Sequence, residues 1–342
     1  MSNANRSHEQ AQPSVVWTDL AGIPVAQQIL TRMESSIAVT AVGGPRVSQI
    51  EQFAHALGCP ACDDARKLLL DRPGAFGLIV SMAGVESSAV WEAVSLGSRL
   101  LTVDPIDTEL GTMVYNANGL RAGNCSGGGV VYVPAFDKSE GWTSAADPLD
   151  MIGQIRLVRF SSYGGLGEGS LFARLYDAWR IILKLGEMPD TVDASLASAT
   201  NQEPQDLRSI SGHMAAHARM STASALLDVS DGSGPNGRQL LVAADDGQLS
   251  IGEQDYELRD ATGQHLDGQD ACERPLTFAD AIAQQWQSLL NGSPRQSIPT
   301  RDPMVADDGP ILLASCLACL LSARTGQPES PRKLLAAHGL GQ

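Results

Sequence analysis

The sequence predicts an α/β protein whose N-terminal half is a doubly wound parallel sheet. Its C-terminal half is predicted as an α+β unit on an open, mixed or antiparallel sheet. Three observations carry that expectation. The chain has 342 residues, which at roughly 150 residues per domain suits two domains. Its first third alternates short apolar runs with amphipathic segments of helical period, the pattern of β-α-β units around a sheet covered on both faces. After Pro105 the alternation gives way to successive strand-like runs punctuated by turn dipeptides such as Asp231-Gly232 and Asp246-Gly247.

Residues 1–13, MSNANRSHEQAQP, read as a polar, disordered tail, with no apolar run behind a basic start of the kind a secretory signal needs. Strands are expected at Ser14 to Thr18, Ile37 to Val42, Gly77 to Met82 and Arg99 to Val103, with helices at Ile23 to Met33, Val47 to Leu57 and Ser87 to Leu96 between them. Thr108 to Gly119 reads as helical, and the Gly-rich stretch Gly123 to Gly129 leads into a strand at Val130 to Val133. A loop with Trp142 follows from Pro134 to Pro148, then a strand at Ile155 to Phe160, the glycines 164, 165, 167 and 169, and a helix from Ser170 to Leu185. Further strands are read at Val192 to Ala199, as a pair around Ile210 to Val229, at Gln239 to Ala243 and at Tyr256 to Arg259. Two helices close the chain: Phe278 to Leu290, opened by Thr277 with Asp280 in near capping-box spacing, and Pro310 to Ala323.

Composition narrows the function classes. Hydrophobic residues make up 43% and charged residues 18%, a globular balance. Lys plus Arg is 24 against 39 Asp plus Glu, so the net charge is −15, a field that repels nucleic acid. The longest apolar stretch, Gly309 to Leu321, is interrupted and falls short of the roughly 20 residues a membrane span needs. A cytoplasmic protein with neither nucleic acid nor membrane as partner is the expectation. The pairs Cys59-Pro-Ala-Cys62 and Cys316-Leu-Ala-Cys319 raise a zinc or redox reading, but their separation and the helical setting of the second favour packed, reduced thiols. His213 and His217 suit metal ligation only on a helix, and their segment reads as strand or loop.

The run from Ala38 to Ile106, ending in GLIVSMAGVESSAVWEAVSLGSRLLTVDPI, resembles the Gfo/Idh/MocA family, the glucose-fructose oxidoreductase and inositol dehydrogenase group. LGEMPDTVDA, RQLLVAADDGQL and LLSARTGQPESP in the second half agree, so the resemblance covers roughly residues 14 to 333. It implies a Rossmann-like dinucleotide-binding domain over 14–120 and a family-type α+β domain over 121–342, the last helices packing back on the first domain. It also implies NAD or NADP as cofactor, hydride transfer on a sugar-like or polyol ligand, and a homo-oligomer formed through the C-terminal sheet.

Carried over residue by residue, the resemblance implies cofactor contacts from Ala21, Gly22, Gly43, Gly44, Arg46, Ser81, Met82, Ala83 and Pro105. The family's G-x-G-x-x-G/A turn is matched by Thr18-Asp19-Leu20-Ala21-Gly22-Ile23-Pro24, with one glycine and with a carboxylate where phosphates would lie. Arg46 either faces a 2′-phosphate, favouring NADP, or is a solvated loop residue. Gly165-Leu166-Gly167-Glu168-Gly169 mimics a phosphate loop, but Glu168 opposes that role, and close packing of the following helix explains the glycines better. The family's Glu-Lys-Pro aligns with Val103-Asp104-Pro105, and its Asp, His and Asp on the later helix align with Ser170, Arg174 and Asp177. Asp104, Arg174 and Asp177 are therefore the residues at catalytic positions. Arginine cannot serve as a general base, and an Asp104–Arg174 pair is expected as a charge swap that keeps local neutrality. Tyr176 and Tyr115 read as core more readily than as acids. Two functions compete: a divergent NAD(P)-dependent oxidoreductase, and a binding, regulatory or scaffold protein that keeps the fold.

Overall fold

The computed structural model describes residues 11–113, 128–165, 167–200, 203–232, 237–272, 274, 276–291 and 309–340. Two sheets organise them. The first has six strands in the order β3-β2-β1-β4-β5-β6: Ala61–Cys62, Ile37–Gly43, Gln12–Trp17, Phe76–Ile79, Arg99–Thr102 and Gly129–Tyr132. All its pairings are parallel. This is the Rossmann-like strand order, with the crossover point between β1 and β4. Val15, Val16, Trp17, Val42, Leu78 and Ile79 are buried, as parallel strands covered on both faces require.

Helix α1, Ile23–Met33, follows β1 and buries Val25, Ala26, Ile29, Leu30 and Met33, residues recurring at helical spacing. The β1 strand begins at Gln12, two residues before the expected start, and residues 1–10 of the predicted tail lie outside the described residues. The expected helix over 108–119 is helical at 110–113 and not at 108–109; residues 114–127, with Tyr115, Cys125 and most of the Gly-rich stretch, lie outside the described residues.

The second sheet has eight strands in the order β14-β13-β12-β11-β7-β10-β9-β8. In sequence order these are Ile155–Tyr163 (β7), Thr191–Ser198 (β8), Gly212–Arg219 (β9), Ser224–Ser230 (β10), Gly237–Ala244 (β11), Gly247–Ile251 (β12), Tyr256–Asp260 (β13) and His265–Gln269 (β14). Only β7 and β10 run parallel, so the sheet is mixed. The amphipathic Leu171–Leu185 helix lies against it, with Phe172, Leu175, Tyr176, Trp179 and Ile182 buried. The Gly309–Thr325 helix packs beside it, against both that helix and β8, where Cys316 and Cys319 are fully buried free thiols. Burial pushes the Cys319 thiol up to about 12, so both behave as small apolar groups.

The Phe278–Leu290 helix carries a complete capping box between Thr277 and Asp280. It returns to the first sheet and packs on α1, placing Ile282, Ala283 and Trp286 in the same core as Val16, Ile29 and Leu78. Arg32 on α1 donates to Asp280 across that contact, and with the capping bonds this holds Asp280 at about 2. The segment expected to be a loop from Pro134 to Pro148 instead contains short helices at Glu140–Ser144 and Ala146–Met151. Ser139 caps the first of them, a local signal its sequence carried. Among the described residues no helix is long and apolar enough to cross a membrane.

Candidate functional site

Two cavities adjoin at the carboxyl ends of the parallel strands, where an open α/β sheet binds its ligands. The first, about 320 Å³, is bounded by Asp19, Ala21 and Gly22 after β1, Ser81, Met82 and Ala83 after β4, and Asp104 and Pro105 after β5. Its opposite wall comes from Gly167, Gly169, Ser170, Arg208 and Asp231. The expected residues 21, 22, 81–83, 104 and 105 are thus brought together. Gly43, Gly44 and Arg46 are not among the lining residues: Gly43 is buried against Trp17 and Leu68, Gly44 donates its N–H to Cys62, and Arg46 is exposed at the start of the Val47–Ala56 helix.

The turn after β1 is engaged internally. Asp19 Oδ1 accepts the Gly22 N–H at 2.9 Å, and its Oδ2 accepts the Ser81 hydroxyl at 2.9 Å. Pro24, in the first turn of α1, has no N–H to offer. Gly167, at φ +84°, approaches so closely that a Cβ there would lie 2.5 Å from the Ala21 carbonyl. A dinucleotide diphosphate needs free N–H donors at this helix start and room for its oxygens. The residues present do not fit it: one donor is taken by a carboxylate, another is missing, and Asp104 and Asp231 face the same space.

Asp104, at the family's lysine position, accepts from the Ser170 N–H at 3.0 Å and the Ser170 hydroxyl at 2.6 Å. Burial pushes its carboxyl above the usual range, with the Ser170 bonds and Arg208 acting against that. Arg208 donates to the Met82 and Ile106 carbonyls, tying the second half of the chain to the rim of the first sheet.

The second cavity, about 410 Å³, borders the first at Gly169 and lies between the start of the Leu171–Leu185 helix, β7, β11 and the turn before the Phe278–Leu290 helix. Tyr132, Ser162, Tyr163, Arg174, Gln254 and Thr277 give it a polar lining, and Phe278, Leu276 and Val103 an apolar one. Arg174 is 6% exposed. It donates to the Glu168 carbonyl at 2.9 Å and to the Ser162 hydroxyl at 3.4 Å, while its buried Nε has no partner among the described residues. Burial lowers its pKa, and among the described residues no carboxylate is within ion-pair reach.

The expected Asp104–Arg174 pair does not form. Asp104 turns to Ser170, and Arg174 turns to the backbone of the 164–169 turn, whose Gly164 leaves room for the guanidinium: a Cβ there would sit 1.9 Å from Nη2. The two groups share no charge contact, so the stability losses of Asp104→Ala and Arg174→Ala are expected to add within about 0.5 kcal/mol in the double variant. Denaturant unfolding of the four proteins checks this, and a coupling well above that value would restore the pair.

Asp177 is held differently from a solvent-facing acid. It accepts from Arg238 at 2.8 Å and from the Phe136 N–H at 3.2 Å. Burial raises its pKa, and Arg238 opposes the rise. Arg238 also donates to Glu253 at 2.6 and 3.0 Å and to the Pro134 carbonyl at 2.6 Å. Burial works against its charge, but Glu253 and Asp177 together hold its pKa above the ordinary value. Sequence reasoning missed Arg238, Glu253, Tyr132 and Arg208, because each reaches the site from a separate element with no local motif. Trp142 packs edge-on against Phe136 and does not line the cavity, and Tyr176 is core, as expected. Glu168 folds back onto the Gly165 N–H. His213 lies on β9, 3.1 Å from Asp228 and stacked on Tyr163. No group of three or more potential metal ligands occurs among the described residues.

No family model matches the sequence, and no curated protein matches it. Solved structures do match. The fold is that of the Gfo/Idh/MocA-type oxidoreductases. An oxidoreductase from Agrobacterium radiobacter, in complex with NAD+, L-tartaric acid and magnesium, superposes with a TM-score of 0.70 at 13% identity, over 95% of this chain and 100% of that one. Myo-inositol 2-dehydrogenase from Lactobacillus plantarum gives 0.66 at 17% identity, over 94% and 99%. The WlbA dehydrogenase from Chromobacterium violaceum, in complex with NADH and UDP-GlcNAcA, gives 0.64 at 12% identity, over 94% and 96%.

Proposed function

We propose that this protein binds a small polyhydroxylated, sugar-like ligand in the 410 Å³ cavity, on a scaffold shared with NAD-dependent sugar and polyol oxidoreductases, and that it does not use the scaffold's lysine–histidine proton chemistry. The observation that carries this reading is Arg174. A buried guanidinium at the cavity wall, with no carboxylate in ion-pair reach among the described residues, is a costly group whose charge suits a ligand oxygen. The residue cannot accept a proton from a hydroxyl as histidine does, so its chemistry there is binding and orientation. Asp177, the retained acid, is occupied by Arg238.

A second reading, NAD-dependent oxidation of such a ligand, is favoured by the gathering of residues 21, 22, 81–83, 104 and 105 around the adjoining cavity. The NAD- and NADH-bound neighbours support NAD as the nucleotide by resemblance. A thermal-shift and calorimetric screen of polyols, aldoses and sugar acids separates the outcomes. A ligand at about 100 times its Kd stabilises the folded state by about 2.7 kcal/mol. The expected result is a rise in Tm with at least one of these classes in the absence of nucleotide, reduced at least about tenfold in affinity by Arg174→Gln. Binding unaffected by Arg174→Gln, or no binding by any member, would contradict the proposal.

A further inference from the structure

We infer that Asp19 is a built-in anion that occupies the diphosphate position of the turn after β1 and thereby excludes dinucleotides from the 320 Å³ cavity. Its carboxylate does what a phosphate does at such a turn: one oxygen takes a backbone N–H at the start of α1, from Gly22, and the other takes a hydroxyl from the neighbouring loop, from Ser81. Ser81 in turn accepts the Ala83 N–H at 3.2 Å, so the carboxylate is wired into both loops that bound the cavity. An incoming diphosphate must compete with this carboxylate for the Gly22 N–H and the Ser81 hydroxyl.

The surroundings reinforce the exclusion. Pro24 withholds an N–H in the first turn of α1. Asp104 and Asp231 add two carboxylates to the cavity wall, against Arg208, the one cation in the lining among the described residues, which is already committed to two carbonyls. The helix start itself remains intact, with Gly22 as its first flanking residue and an 11-residue helix behind it. Removing the carboxylate and restoring the missing donor is therefore expected to create nucleotide affinity.

The test titrates NADH into the full-length wild type, Asp19→Gly, Asp19→Asn and the double variant Asp19→Gly/Pro24→Ala, following nucleotide fluorescence, with ADP as competitor and circular dichroism to confirm folding. Asp19→Asn keeps the size of the side chain and serves if the glycine variants fail to fold. The expected result is no saturation of the wild type up to about 1 mM NADH, and binding at least about tenfold tighter in a folded variant, displaced by ADP. Saturation of the wild type at micromolar NADH would overturn the inference, as would folded variants that bind no better than the wild type. Either failure leaves the sugar-like ligand of the second cavity standing, since that proposal is read without nucleotide.

Discussion

Replacing Arg238 with alanine is expected to destabilise the protein by about 3–5 kcal/mol, the range found when one partner of a buried ion pair is removed. Arg238 is the cation on which the wall of the second cavity converges: it meets Asp177, Glu253 and the Pro134 carbonyl, and its guanidinium lies 5.5 Å from the centre of the Phe136 ring. Among the described residues, truncation leaves Asp177 buried with the Phe136 N–H and the more distant Arg180 to offset its charge. The pH dependence has a definite sign. Burial already holds the folded-state pKa of Asp177 above its ordinary value of 3.8, and loss of Arg238 raises it further. A group raised in the folded state contributes stability that is complete below its unfolded pKa and is lost as pH rises through the folded pKa. The variant's deficit against wild type should therefore be smaller in acid and grow as pH rises through the raised folded-state pKa of Asp177. Urea unfolding of both proteins across that window measures it. A deficit independent of pH would show that Asp177 does not carry the lost charge contact.

Trp286→Ala is expected to cost about 3–5 kcal/mol, as large-to-small changes at fully buried aromatics do. Trp286 is completely buried among Val16, Ile29, Leu78 and Leu101, where the Phe278–Leu290 helix docks on the first sheet and α1. That docking also fixes Thr277 and Phe278 at the edge of the second cavity, so loss of the anchor should weaken ligand binding as well as stability. Trp286 Nε1 has no hydrogen-bond partner among the described residues. Trp286→Phe removes that unsatisfied donor and leaves a much smaller void, so it should cost clearly less than the alanine change. Equal losses for the two substitutions would mean that the indole body is not what holds the helix down.

The first sheet, apart from its two-residue edge strand Ala61–Cys62, was legible because its strands are short, continuous apolar runs bounded by helices whose buried faces recur at 3.6-residue spacing, as at Val25, Ile29 and Met33. The second sheet was legible in class but not in count. Gly247–Ile251 and His265–Gln269 passed unread, the second because its residues are mostly exposed and carry no alternation. The site divided along the same line. Residues expected at the ends of the parallel strands, including Asp19, Ser81 and Asp104, do meet, because that position follows from topology. Gly43, Gly44 and Arg46 were placed by alignment to a motif and fall outside the lining. The Asp104–Arg174 pair failed because charge complementarity does not specify geometry: Ser170, one residue before the helix, satisfies Asp104 locally, and the glycine at 164 gives the guanidinium another place to lie. Arg238 and Glu253, 15 residues apart on either side of a hairpin, are joined by sheet pairing that no spacing rule in the sequence announces.

The account rests on a cavity that binds its ligand without a nucleotide. The most direct test is calorimetric titration of the best ligand from the sugar and polyol screen into wild-type protein, with and without about 1 mM NAD, while nicotinamide absorbance is followed in the same mixtures. The account predicts the same affinity in both titrations and no reduction of NAD. Binding that appears only with NAD, or ligand-dependent formation of NADH, would contradict it and establish the protein as a working oxidoreductase.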